Sequence, residues 1–144
     1  MLGAVVLASG CGGGEPSAED FAERANAVCA RAEKASPALD GSSAQELMRT
    51  INRLAAVSRR QADEMKRIEA PDGREDDVKA LVATFQQRTR LLGRVRAATR
   101  TGGADGFNTA LRENAGEGRS TNEEADRLAR DLGLDECLQS TRGG

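Results

Sequence analysis

The chain has 144 residues, 21 Lys and Arg against 23 Asp and Glu, a formal net charge of −2 and no histidine. A chain of this length builds one modest core. With three Phe and neither Trp nor Tyr, it lacks the aromatic side chains that favour sheets and that stack on single-stranded nucleic acid. The missing imidazole removes His metal ligands, Ser-His and Cys-His nucleophile pairs and the commonest general base. The near-neutral charge balance argues against a nucleic-acid binder.

The chain opens on Met1-Leu2-Gly3-Ala4-Val5-Val6-Leu7-Ala8-Ser9-Gly10-Cys11. The apolar run from Leu2 to Ala8 is far short of the roughly 20 residues that span a bilayer. It suits the end of a secretory h-region, so residues 1–10 read as a truncated signal peptide. Leu7-Ala8-Ser9-Gly10-Cys11 resembles a bacterial lipobox, in which small residues precede a cysteine that is lipidated and becomes the mature N-terminus. The resemblance implies cleavage before Cys11, a thioether-linked diacylglycerol on Cys11, and a lipidated tether over residues 11–17. At about 0.8 kcal/mol per buried methylene, two acyl chains hold a protein on a membrane where one is marginal.

Of the three cysteines, acylation of Cys11 leaves Cys29 and Cys137, an even number in an oxidising compartment. Their pairing would close a loop of about 110 residues, for which the chain-entropy model gives roughly 4.7 kcal/mol. Neither lies in a Cys-x-x-Cys pair, so a redox role has no support.

Residues 18–137 read as helical throughout. Ser17 is an N-cap, followed by acidic Glu19 and Asp20, and Phe21, Ala25, Val28 and Ala32 recur on one helical face. Ser36-Pro37 and Asp40-Gly41-Ser42 break that helix. A second helix starts at Ser43, with Glu46 completing a capping box, and carries Leu47, Ile51, Leu54, Ser58, Ala62, Met65 and Ile68. Ala70-Pro71-Asp72-Gly73 ends it. Glu75, Asp76 and Asp77 open a third helix with Val78, Leu81, Val82, Phe85, Leu92 and Val95 inward, closing before Gly102-Gly103.

A fourth helix carries Phe107, Leu111, Asn114 and Ala115, then Ala125, Leu128, Ala129 and Leu132. It should be kinked or broken near Gly116–Gly118, with Gly133 as its left-handed stop. Four amphipathic helices with short connections predict an all-α, antiparallel up-down four-helix bundle, followed by a flexible tail over residues 138–144. Cys29 falls about 11 residues, or 16 Å, inside the first helix. To reach it, the segment from Leu134 to Cys137 must fold back along the bundle, or the fourth helix must end higher.

Taken together, the lipobox, the tether, the segment Ala25 to Cys29 and Gly133-Leu134-Asp135-Glu136-Cys137 resemble a recurrent class of small exported helical lipoproteins of actinobacteria. The dominance of Arg over Lys, with abundant Ala and Gly, fits the GC-rich coding of that group. The class implies a helical, cysteine-paired domain and no particular activity.

Arg88, Arg90, Arg94, Arg96 and Arg100 form a basic run with no intervening acid. It is a candidate anion patch, although cations near a helix C-terminus also complement the helix dipole. Glu113, Glu123, Glu124 and Asp126 cannot form the Glu-x-x-His sites of di-iron bundles and have no EF-hand spacing, so they read as solvated faces and no metal or cofactor is expected. Ser58 and Asn114 interrupt apolar stripes and are the candidates for lining a cavity. The expectation is a non-catalytic interaction or structural module on the outer face of the cell membrane. Its partners would be the membrane, through the anchor, and an envelope protein or polyanion, with no nucleic acid. The alternative is a small-ligand carrier with a pocket inside the bundle.

Overall fold

A computed structural model describes residues 16–39, 41 and 43–139. Cys11, the leader, most of the tether and residues 140–144 lie outside the described residues. Helix α1 spans Ala18–Ala35, and the Ser17 side chain accepts from the Asp20 N–H at 3.0 Å. Helix α2 spans Ala44–Met65 behind a full capping box. There Ser43 Oγ accepts from Glu46 N–H at 3.2 Å, and Glu46 Oε2 from Ser43 N–H at 3.1 Å. Helix α3 spans Glu75–Asp131, and a short 3-10 turn follows at Asp135–Cys137. No strand occurs among the described residues.

The described residues hold three α-helices, not the four expected. What reads in sequence as a third and a fourth helix is one element of 57 residues, interrupted only at Gly103 (φ 60°, ψ −141°). The expected kink near Gly116–Gly118 is absent, because both glycines stay helical with open space around them. A helix-interior glycine costs only about 1 kcal/mol, and the positive φ at Gly103 has already turned the chain.

That turn folds α3 in half. Arg94 pairs with Glu117, Arg88 donates to Asn122 and Arg74 donates to the Asp131 carbonyl. A straight helix would hold residues 94 and 117 about 35 Å apart. The two residue numbers in each of these pairs have a nearly constant sum, so the arms before and after Gly103 run antiparallel. Their approach at the bend is close: a Cβ on Gly106 would stand 2.2 Å from the Ala98 carbonyl oxygen. The first arm also runs antiparallel to α2, with Ser58 bonded to the Phe85 carbonyl. Arg31 of α1 pairs with Glu64 of α2 at 2.7 Å.

All three phenylalanines are buried. The larger apolar cluster gathers Phe21, Val28, Met65, Leu81, Phe85, Leu128 and Leu134 around the cysteines, with contributions from every helix. The smaller one, Leu47, Ile51, Val95, Phe107 and Ala110, contains nothing from α1. Helix lengths explain this. The 18 residues of α1 reach about 27 Å, whereas the first arm of α3 alone reaches about 42 Å. Helix α1 therefore covers only the half of the body remote from the Gly103 bend.

The end of α3 settles how Cys137 reaches Cys29. Gly133 adopts φ 71°, its N–H donates to the Arg130 carbonyl at 3.1 Å, and the Leu134 N–H donates to the Ala129 carbonyl at 2.8 Å. This is a Schellman stop, with Leu134 and Ala129 both fully buried. The chain then folds back along α1, and the Glu136 N–H donates to Asn26 Oδ1 at 3.0 Å. Cys29 and Cys137 stand at disulfide distance, S–S 2.02 Å and Cα–Cα 5.1 Å. Leu138 and Gln139, assigned in sequence to the tail, lie against the body: Leu138 packs on the larger cluster, and the Gln139 N–H donates to Asp126 Oδ1.

Candidate functional site

The two apolar clusters are separated by a polar layer. Ser58 Oγ and Thr89 Oγ1 stand 3.0 Å apart, each within hydrogen-bond distance of the Phe85 carbonyl (3.4 and 3.1 Å), so one hydroxyl donates to that carbonyl and the other to the carbonyl or to its neighbour. Beside this layer α1 stops. The Ser36 hydroxyl turns back to the Ala32 carbonyl at 2.8 Å, the Ser36 N–H bonds the Glu33 carbonyl, and Pro37 follows. Proline disfavours helix at the residue before it, and Ser36 is extended (φ −75°, ψ 121°). Where α1 ends, α2 and the first arm of α3 lose their cover and a cleft of about 350 Å³ opens. Pro37, Leu54, Val57 and Leu92 form its apolar walls. Ser58 and Gln61 also line it, as do Glu33 of α1, Arg88 of α3 and Gln139. Its size and mixed lining match those of small-ligand sites.

Arg88 is held in place at this cleft: its guanidinium lies 5.5 Å from the centroid of the Phe85 ring and donates to Asn122 Oδ1 at 3.5 Å. Gln61 is almost completely buried, and its amide donates to Cys29 Sγ at 3.4 Å. Neither Gln61 nor Thr89 stands out in the sequence, since each is a polar residue outside the apolar stripe of its helix. The only signal is that Gln61 lies three residues after Ser58, one helical turn along the same side.

The remaining candidates are dispersed. Arg88, Arg90, Arg94, Arg96 and Arg100 do not share one face: Arg94 and Arg96, two residues apart, point to nearly opposite sides of the helix. Arg94 is taken up by Asn114 and Glu117 across the fold of α3, and Arg90 by Gln87 of its own helix. Arg96 and Arg100 are exposed near the bend. Asn114 donates to the Ala110 carbonyl and accepts from Arg94, so it does not join Ser58 at the cleft.

Among the acids, Glu113, Glu123 and Glu124 are exposed, but Asp126 is buried, which corrects its reading as part of a solvated face. The hydrogen bond from Arg127 holds the Glu124 carboxyl below the usual carboxylate range, against a smaller opposing effect of burial, and Arg127 is raised in turn. No cluster of three or more metal-ligating side chains occurs among the described residues. No described helix is long and apolar enough to cross a membrane.

A second groove, of about 440 Å³, runs between the end of α2 and the start of α3, with Ile68, Val78 and Val82 on its walls and Lys66 and Lys79 at its edges. Compared with known protein families, curated proteins and solved structures, the chain matches none of them.

Proposed function

We propose that the chain is a lipid-anchored extracytoplasmic binding module that works through its surface and carries out no chemistry. The observation that carries this reading is the placement of Cys29 beside Cys137 at disulfide distance in the core. It accounts for two of the three cysteines and leaves Cys11, in its lipobox-like setting, as the odd one. Disulfides persist in exported proteins and are rare in the cytosol. In this reading α1, α2 and the two arms of α3 act as four packed rods. The tether enters at the start of α1, and the Gly103 bend, with Arg96 and Arg100 nearby, points away from the membrane.

Metabolic labelling with a palmitate analogue tests the anchor. Label on the native chain and none on Cys11→Ala is the expected result; membrane association that persists without Cys11 refutes it. A non-reducing gel tests the export half, through a mobility shift on reduction; free thiols at both Cys29 and Cys137 in exported material refute it. One observation favours a second reading, that of a small-ligand carrier: the cleft beside Ser58 is about 350 Å³, within the range such ligands need.

A further inference from the structure

Gln61 is 3% exposed. Its Nε2 donates to Cys29 Sγ at 3.4 Å, and sulfur is a weak acceptor. No donor among the described residues reaches its carbonyl oxygen. Every fully enclosed side-chain polar atom among them has a partner, so Gln61 Oε1 keeps some exposure. Gln61 lines both this cleft and a groove of about 70 Å³ between α1 and α2, and of the two the cleft, at about 350 Å³, has room for a ligand. A neighbouring second N–H on Nε2 is equally unused. A buried amide that meets only a sulfur gives up water without an equivalent hydrogen bond in return, and sites that retain such a group favour a ligand that completes it.

One acceptor beside one donor selects the ligand. A carboxylate would set oxygen against Oε1, and an ammonium group would leave Nε2 without an acceptor. An extended peptide residue presents its own N–H and C=O along one edge, as paired strands do. The apolar walls of Leu54, Val57 and Leu92 add room for a side chain, and Arg88 with Glu33 brings one charge of each sign, which disfavours neither acidic nor basic peptides.

We propose that the cleft beside the end of α1 binds an extended peptide segment. One ligand residue donates its N–H to Gln61 Oε1, accepts from Gln61 Nε2, and lays an apolar side chain on Leu54, Val57 and Leu92. This deepens the binding-module reading and rests on its claim that the body works by binding. Because the test is made in solution, failure of lipid labelling would leave it untouched, and its own failure would leave the anchor untouched.

The test is titration of N-acetyl-leucinamide into the isotope-labelled, oxidised chain, followed by NMR. Saturable shifts are expected at Leu54, Val57, Ser58 and Leu92 and at the side-chain amide of Gln61. N-Methylation of the leucine nitrogen removes the donor to Oε1 and should weaken binding about tenfold or more, the scale of one hydrogen bond. Gln61→Met should weaken the unmethylated ligand as much while keeping the helical spectrum. Absence of shifts at these residues overturns the proposal, as does equal affinity for the two ligands. The ligand pair remains decisive even if Gln61→Met fails to fold.

Discussion

Breaking the Cys29–Cys137 link is the sharpest test of how this body is held together. The two residues are 108 apart in sequence. For a loop of that size the chain-entropy relation gives a stabilisation of about 4.8 kcal/mol at 25 °C, with measured losses for native disulfides of roughly 2–5 kcal/mol. The unfolding entropy of a body of this size is roughly 0.26 kcal/mol/K, so the upper figure corresponds to a fall in melting temperature of about 18 °C. With neither Trp nor Tyr in the chain, far-UV circular dichroism is the natural probe, comparing oxidised chain, reduced chain and the double variant Cys29→Ala, Cys137→Ala. Hydrogen exchange should show where the loss begins. Once the link is cut, Leu134 to Leu138 keep the Schellman stop and the contacts of Glu136 with Asn26 and Gln139 with Asp126. Their amides should therefore lose protection before those of α2. A difference below about 4 °C between oxidised and reduced chain, roughly 1 kcal/mol, would refute the view that this link closes the fold.

The glycines test the bend in α3. Gly106→Ala, whose Cβ would meet the Ala98 carbonyl oxygen at 2.2 Å, should cost about 1–3 kcal/mol as overpacking against backbone. Gly116→Ala and Gly118→Ala, in open helical positions, should each stabilise by roughly 0.5–1 kcal/mol in denaturant titrations; a loss at either of the last two would return the kink to that region. Ser43→Ala removes the capping box of α2 and should cost about 1 kcal/mol, read the same way. Arg127→Ala should let the Glu124 pKa rise towards its ordinary value, followed by NMR titration of that carboxyl. A depressed carboxylate stabilises above its ordinary pKa, and that contribution is lost as pH falls through its folded value. Variant and native chain should therefore differ slightly near neutrality and converge in acid.

Features of the fold governed by neighbouring residues were legible in the sequence. Ser17, the Ser43–Glu46 box, the acids from Glu75 to Asp77 and the Gly133 stop all act within one helical turn, and the structure uses each of them. The count of helices was not legible. The break expected at Gly102-Gly103 is present, at Gly103, whereas the second one expected at Gly116–Gly118 is not. The two glycine pairs present similar local chemistry, and what separates them is the close approach at Gly106, which depends on where Ala98 lies after the fold-back. The dispersal of the arginines has the same origin. A run along the sequence becomes opposite faces in a helix, and only the fold-back puts Glu117 and Asn114 within reach of Arg94. Gln61 escaped notice because its one hydrogen-bond partner, Cys29, is 32 residues away.

The cleft itself follows from a single local decision, the stop of α1 at Ser36-Pro37, and that makes it open to a direct test. Replacing both residues with alanine removes the proline restraint on Ser36 and the hydroxyl that turns back to Ala32. One further helical turn adds about 5.4 Å to α1 and would carry it over Leu54 and Leu92. The helical signal should rise, the chemical shifts of residues 36–39 should become helical, and thermal stability should hold or increase as apolar wall is covered. Peptide binding at the cleft should then disappear. A variant that lengthens α1 yet still binds N-acetyl-leucinamide with native affinity would place the binding site elsewhere, with the groove flanked by Lys66 and Lys79 as the first place to look. If the double variant leaves residues 36–39 extended, the stop comes from packing of the following loop against α2, where Gly41 lies close to the Leu47 N–H, and not from proline.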